Sequence, residues 1–204
     1  AVFGTHDSVL HQRIIASATH LKKAQYEFHM LFGIRSEEQK RLIEAGHTVR
    51  CLARDPDRLV ARPWSGHAEM VQGDVLDPDT LGRAMQGIDV VYHLGKATGQ
   101  RWQDYLEQDV EPTRVVAQCA IDAGVRRFIY TGTIDSYDSA RDGSVIDGKT
   151  PLDASIDTRN LYARSKAACE ALLLDMHRSK KLPLVIFRPG IVIGEGCPPA
   201  HWGV

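Results

Sequence analysis

A chain of 204 residues, 43% hydrophobic and 25% charged, is long enough to bury a core and has the ordinary composition of a globular protein. Its formal net charge of -1 provides no overall field toward nucleic acid or an anionic membrane, and no apolar run approaches the roughly 18 residues of a spanning helix. Residues 1–30 mix apolar side chains with His, Arg, Lys and Glu, unlike a signal peptide, and Cys51, Cys119, Cys169 and Cys197 form no C-x-x-C pair. These features predict reduced thiols, a cytoplasmic location, no metal site, and neither nucleic acid nor membrane as partner.

Residues 1–35 fit a helical stripe only loosely, through Val9, Leu10, Ile14, Ile15, Leu21 and Phe28. His6, His11, His20 and His29 match no familiar ligand spacing and read as surface histidines. Residues 28–34 read as a buried strand. Ser36-Glu37-Glu38-Gln39 is a capping box that opens a helix to about Ala45, with Gly46 closing it. Residues 47–53 predict a strand ending at Arg54, and 69–72 a short strand ending at Gly73-Asp74. Asp77 then caps a helix with Pro78 at its first position, and Gly87 stops it.

The continuous apolar run 89–94 predicts a strand covered on both faces. Residues 106–123 predict a longer helix with Val110, Val115, Val116, Cys119 and Ala120 inward, closed by Gly124. A buried strand over 127–131 leads into a polar loop over 134–160, long enough to imply function or mobility. A helix from 161 to 177 and a strand over 184–188 complete the series. Strands alternating with helices predict a parallel sheet built from β-α-β units, with ligands at the carboxyl ends of the strands. Those ends carry Arg54, Asp74, Leu94-Gly95-Lys96, Thr131-Gly132-Thr133 and Arg188-Pro189-Gly190.

Tyr162 and Lys166 lie four residues apart, on one face of the helix 161–177. A free phenol has a pKa of about 10. A cation about 4 Å away is worth roughly 4 kcal/mol at an effective dielectric of about 20, or about three pKa units. That brings the phenol into the range of proton exchange with a hydroxyl or carbonyl. The competing reading is an ordinary helix with a packed Tyr and a solvated Lys.

The ordered set of motifs resembles the extended short-chain dehydrogenase/reductase family, the NAD(P)-dependent epimerase/dehydratase group, over residues 36–204. It comprises Glu44-Ala45-Gly46-His47-Thr48-Val49-Arg50, Gly73-Asp74-Val75-Leu76-Asp77, Asp89-Val90-Val91-Tyr92-His93-Leu94-Gly95, Arg127-Phe128-Ile129-Tyr130-Thr131-Gly132-Thr133, Tyr162-x-x-x-Lys166 and Phe187-Arg188-Pro189-Gly190-Ile191-Val192-Ile193-Gly194. The resemblance implies a Rossmann-like doubly wound parallel sheet with helices on both faces. Tyr162 is then the acid/base, Lys166 lowers its pKa and holds the nicotinamide ribose, and Thr133 aligns the substrate oxygen. Asp74 and Val75 match adenine-holding positions. Leu94, Gly95, Lys96 and Thr131 line the cofactor, and Pro189 and Gly190 turn beside the nicotinamide. Turn-forming and capping roles are the alternatives for Asp74, Thr133 and Pro189-Gly190, and plain solvation is the alternative for Lys96. Arg54, with Arg58 nearby, suits a 2′-phosphate and favours NADP over NAD, while Asp55 argues the other way.

Three departures qualify the resemblance. The family's glycine turn falls at positions 29, 32 and 35, which here are His29, Phe32 and Arg35, with only Gly33 close by. The family's substrate lobe falls beyond Val204, so the expected domain, 36–204 after an unassigned segment 1–35, is incomplete at both ends. Asp109 stands where the family often has Asn. The implied activity is hydride transfer to or from a carbinol or ketone of a small-molecule substrate, a sugar nucleotide first and hydroxysteroid-like or flavonoid-like ketones next. A homodimer through helices 106–123 and 161–177 is also implied. A non-catalytic dinucleotide sensor or scaffold, or an inactive piece of an active parent, is the alternative.

Overall fold

The computed structural model describes residues 2–4, 27–29, 48–61, 65–95, 97–138 and 148–190. They divide into two compact units, one containing the described residues up to Gln72 and the other spanning Gly73–Gly190. The expectations for the 36–45 helix, Lys96, Gly33, residues 30–34, the middle of the 134–160 loop and Ile191–Gly194 lie outside the described residues.

In the first unit, β1 (Val2–Gly4) pairs in parallel with β2 (Glu27–His29). β3 (Val49–Ala53) pairs in parallel with β4 (Ala68–Gln72), Val49 opposite Ala68 and Ala53 opposite Gln72. The register sets Arg50 against Glu69, and their side chains meet at 2.8 Å. The side-chain amide of Gln72 donates to the Arg54 carbonyl at 3.2 Å, tying together the ends of β3 and β4.

The second unit is built on a three-stranded parallel sheet of β5 (Val90–His93), β6 (Arg127–Thr131) and β7 (Leu184–Phe187), with β6 in the middle. Phe128, Ile129 and Tyr130 are completely buried, as a central strand requires. On β5, by contrast, Val90, Val91 and Tyr92 are only half-buried and His93 alone is buried, so the expected cover on both faces is partial. α1 (Pro78–Ala84) starts as predicted, with the Asp77 side chain accepting from the Asp79 amide and Pro78 in the first turn. Gly87 and Gly124 close α1 and the later helix in the left-handed region, at φ 71° and 67°.

The predicted helix 106–123 is in fact two segments, a π turn (Leu106–Val110) and α3 (Glu111–Asp122), and a further turn, α2 (Trp102–Tyr105), precedes them. Pro112 explains the interruption, since it cannot donate to the carbonyl four residues back and its ring crowds that carbonyl. The chain widens one turn earlier, and Glu111 N–H reaches the Leu106 carbonyl five residues behind it. This sets Asp109 on the buried side, while Val110, expected inward, is half-buried.

α4 (Leu161–Lys180) is capped by Asn160, whose Oδ1 accepts from the Ala163 amide at 2.8 Å, and it runs three residues beyond the expected end. His177, Arg178 and Lys180 in its last turn suit the negative end of the helix dipole. Its buried stripe is Ala163, Lys166, Ala167, Glu170 and Leu173, the three- and four-residue spacing of one helix face. Two of those five are charged, which a core face tolerates only when each charge has a partner.

Candidate active site

Each partner comes from a neighbouring element. Lys166 is 3% exposed, and its ammonium donates to the Gly95 carbonyl at 2.8 Å, just past β5. It also reaches Asp109 Oδ1, on the π turn, at 3.4 Å and lies 5.1 Å from the centre of the Tyr130 ring on β6. The other oxygen of Asp109 accepts from Ser165 Oγ at 2.6 Å. Glu170, fully buried, takes Arg188 at 2.7 Å, and that guanidinium stacks over Tyr137 at 4.5 Å. The remaining oxygen of Glu170 lies against Gly132, where an added Cβ would collide with it. A glycine between Thr131 and Thr133 is therefore a requirement of space.

Thr133 and Tyr162 come together at the carboxyl end of β6. Thr133 is buried and caps the 3-10 turn Ile134–Ser136 by accepting from the Asp135 amide at 3.2 Å, and its hydroxyl lies close enough to the Tyr162 phenol to act on it. The turn is held to the end of β7 by Gly132 N–H on the Phe187 carbonyl at 2.7 Å and Ile134 N–H on the Pro189 carbonyl at 3.1 Å. The capping reading of Thr133 is the one its hydrogen bond shows.

The expected effect of Lys166 on Tyr162 needs correction. Burial, then the negative charges of Asp109 and Asp135, push the Tyr162 phenol above its ordinary value of 10, and the Thr133 hydroxyl only partly offsets them. Helical spacing brings the lysine to the same face, but its ammonium settles on a carbonyl and a carboxylate. The phenol therefore holds its proton at neutral pH.

Beneath the site, His93 is buried, with Nε2 at 2.8 Å from Thr113 Oγ1, whose hydroxyl reaches Cys169 Sγ at 3.5 Å. Burial, reinforced by the Lys166 charge, pushes its pKa down to about 4, so the ring is neutral. Asp109, noted in the sequence only as a departure from the family's Asn, and His93, noted only within a strand motif, were given no role by sequence reasoning. The signal for Asp109 was a lone carboxylate at the i, i+4, i+7 positions shared with Thr113 and Val116.

The remaining cofactor positions spread along the strand ends of the second unit. Asp74 and Val75 are half-buried, and Asp74 Oδ1 accepts from the Leu76 amide at 2.9 Å, the turn-forming role. Thr131 ends β6 half-buried, Pro189 is half-buried, and Gly190 is exposed. Leu94, 50% exposed, and Ile134, 41% exposed, offer apolar surface just past β5 and β6. Large apolar side chains left open at strand carboxyl ends, beside the Lys166–Gly95 contact, fit the planar rings of a dinucleotide. Arg54 is exposed in the first unit, and Arg58 there faces Asp55 at 3.4 Å.

Parallel strands alternating with helices, with Thr133 at a strand's carboxyl end beside a helix that carries Tyr162 and a buried Lys166, define a Rossmann-like α/β domain. The chain belongs to the NAD dependent epimerase/dehydratase family, whose sequence profile matches residues 36–201. It is 32% identical over 169 residues to the 2-alkyl-3-oxoalkanoate reductase of Shewanella oneidensis, covering 78% of this chain and 42% of that protein. Cinnamoyl-CoA reductase 1 of Petunia hybrida is 29% identical, with 76% of this chain and 50% of the relative covered. Among solved structures, DesIV, the dTDP-glucose 4,6-dehydratase of Streptomyces venezuelae with NAD and TYD bound, superposes with a TM-score of 0.57 at 25% identity, over 75% of this chain and 51% of that one. The chain spans about half the length of the curated relatives it matches. Among the described residues, no helix is long and apolar enough to cross a membrane.

Proposed function

We propose that this chain carries the proton-transfer half of an NAD(P)-dependent carbonyl reductase. The observation behind this is the Tyr162 phenol beside the buried Thr133 hydroxyl at the carboxyl end of β6, held protonated by burial and by the charges of Asp109 and Asp135. A protonated phenol is the form needed to give a proton to a carbonyl oxygen as it becomes an alkoxide. The nicotinamide cofactor, when bound, supplies the hydride to the carbonyl carbon. Thr133 fixes the carbonyl oxygen on the line of the Tyr162 O–H, and the fixed dipoles around it stabilise the developing charge. Lys166, anchored on the Gly95 carbonyl, presents its ammonium stem beside the strand end where the cofactor ribose lies. Leu94 and Ile134 supply apolar contact, with Gly95, Thr131, Pro189 and Gly190 as backbone close to the ligand and Asp74 with Val75 toward the adenine. Arg54 leans the choice toward NADP.

The reductases among the relatives favour a ketone or thioester carbonyl as substrate. A sugar nucleotide is the second reading, favoured by the likeness to a dTDP-glucose dehydratase. The test is Tyr162→Phe in the full-length protein, assayed with NADPH and NADH. Turnover should fall by about 100-fold or more while cofactor binding is kept. Unchanged turnover would remove Tyr162 as the proton donor and leave the non-catalytic sensor or scaffold reading.

A further inference from the structure

The contact that holds Lys166, its ammonium on the Gly95 carbonyl at 2.8 Å, has its two ends joined by a second path through the core. His93 ends β5 two residues before Gly95, and its Nε2 lies 2.8 Å from Thr113 Oγ1 on α3. The Thr113 hydroxyl reaches Cys169 Sγ at 3.5 Å, and Cys169 lies one helical turn beyond Lys166 on α4. His93, Thr113 and Cys169 are all buried, so each depends on protein partners for its polar atoms. The His93 ring also lies beneath the turn after β5, where a Cβ on Gly95 would sit 3.5 Å from its Cε1. It stacks on the Tyr130 ring with centroids 5.9 Å apart, and the Lys166 ammonium lies 5.1 Å from the centre of that same ring.

A threonine hydroxyl has one proton to give. Thr113 gives it to the Cys169 sulfur, so its oxygen is left to accept from His93. The ring is therefore the neutral tautomer with its proton on Nε2. A lysine stem is flexible and does not by itself select one placement of its ammonium. Here the acceptor is a carbonyl in a turn, and that turn is tied through His93 and Thr113 to the helix that carries the lysine.

We propose that His93 is a positioning residue for the cofactor: as the Nε2–H tautomer it ties the turn after β5 to α3 and α4, and so holds the Gly95 carbonyl where the Lys166 ammonium takes it. This rests on the reading of Lys166 as the residue beside the cofactor ribose, and His93 acts through that lysine.

Two measurements on the full-length protein need no ligand. With isotope-labelled histidine, the ring nitrogen shifts report the tautomer, and His93→Gln identifies the signals. The Nε2–H form is expected at neutral pH, and the Nδ1–H form or a charged ring overturns the proposal. With isotope-labelled lysine, the buried, hydrogen-bonded Lys166 ammonium should exchange its protons slowly enough to be seen, and Lys166→Gln identifies it. His93→Phe keeps a ring but has no donor, and Thr113→Val keeps the shape but has no acceptor. Each should weaken or abolish the ammonium signal, while His93→Gln, whose amide carries an N–H, should restore most of it. In the same two variants the Kd for NADPH and NADH should rise by about fivefold or more, the worth of one buried hydrogen bond. KM for the cofactor should rise with it, and kcat at saturating cofactor should change less. An ammonium signal unchanged in both variants, or lost equally in His93→Gln, overturns the proposal, and Thr113→Val carries the test if His93→Phe does not fold. An ammonium signal lost with cofactor affinity intact overturns instead the reading of Lys166 as a cofactor residue, and turnover of Tyr162→Phe decides the reductase reading separately.

Discussion

The ion pairs on the α4 face of the second unit and those at β3 and β4 of the first use the same chemistry to opposite ends. In the second unit Lys166–Asp109 and Arg188–Glu170 leave 3%, 1%, 13% and 0% of their side chains exposed. In the first unit, Arg50–Glu69 across β3 and β4 leaves 22% and 52% exposed, and Arg58–Asp55 in the turn after β3 leaves 83% and 56%. Water screens the second set and not the first. An exposed pair is worth about 0–1 kcal/mol, whereas removing one member of a buried pair strands the other and costs about 3–5 kcal/mol. The buried charges on the α4 face are therefore structural commitments, and those at β3 and β4 are free to vary.

The largest effect expected from breaking this contrast is Arg188→Met. It leaves the fully buried Glu170 carboxylate without its guanidinium, and denaturant unfolding should show a loss of about 3–5 kcal/mol. A double variant that also changes Glu170 to Gln should recover much of that loss. If the single variant is as stable as the natural chain, the pair is not buried as described.

Next comes pH. His93 has a folded-state value of about 4 against an unfolded value near 6.5, so the fold favours the neutral ring. The stability this contributes is present above about pH 6.5 and is lost as pH falls toward 4, for a total of about 3 kcal/mol. Stability measured across that window should slope downward in acid, and His93→Leu should flatten the slope whatever it does to stability at neutral pH. Tyr162 acts on the other limb. Its folded-state value lies above 10, so its contribution is present below pH 10 and is lost as pH rises through the folded value.

The smallest effect belongs to the first unit. Glu69→Gln on the exposed cross-strand pair should change stability by no more than about 1 kcal/mol, and less at high salt. A loss of several kcal/mol would show that the exposed and buried pairs are not different in kind.

Much of the second unit was readable beforehand because its signals are local. β6 ran over the predicted residues 127–131, Asp77 capped α1, and Asn160 opened α4. The buried charges were not readable in the same way. A hydrophobic stripe at helical spacing argues against Lys166 and Glu170 as core residues, and only partners distant in sequence, Gly95, Asp109 and Arg188, make them so. The π turn was missed because residues 106–123 carry an unbroken helical pattern, and the effect of Pro112 is felt one turn before it.

The sequence alone determined the order of strands and helices, and its ordered motifs carried the resemblance to the family. The element order follows from capping residues, apolar runs and spacing, which act over a few residues. Tertiary structure decided the electrostatics. Tyr162 and Lys166 share a helix face, and spacing alone makes the lysine the phenol's activator. Folding places Asp109 between these roles, gives the ammonium a carboxylate, and leaves the phenol protonated, because charges act through space and burial removes the water that would screen them.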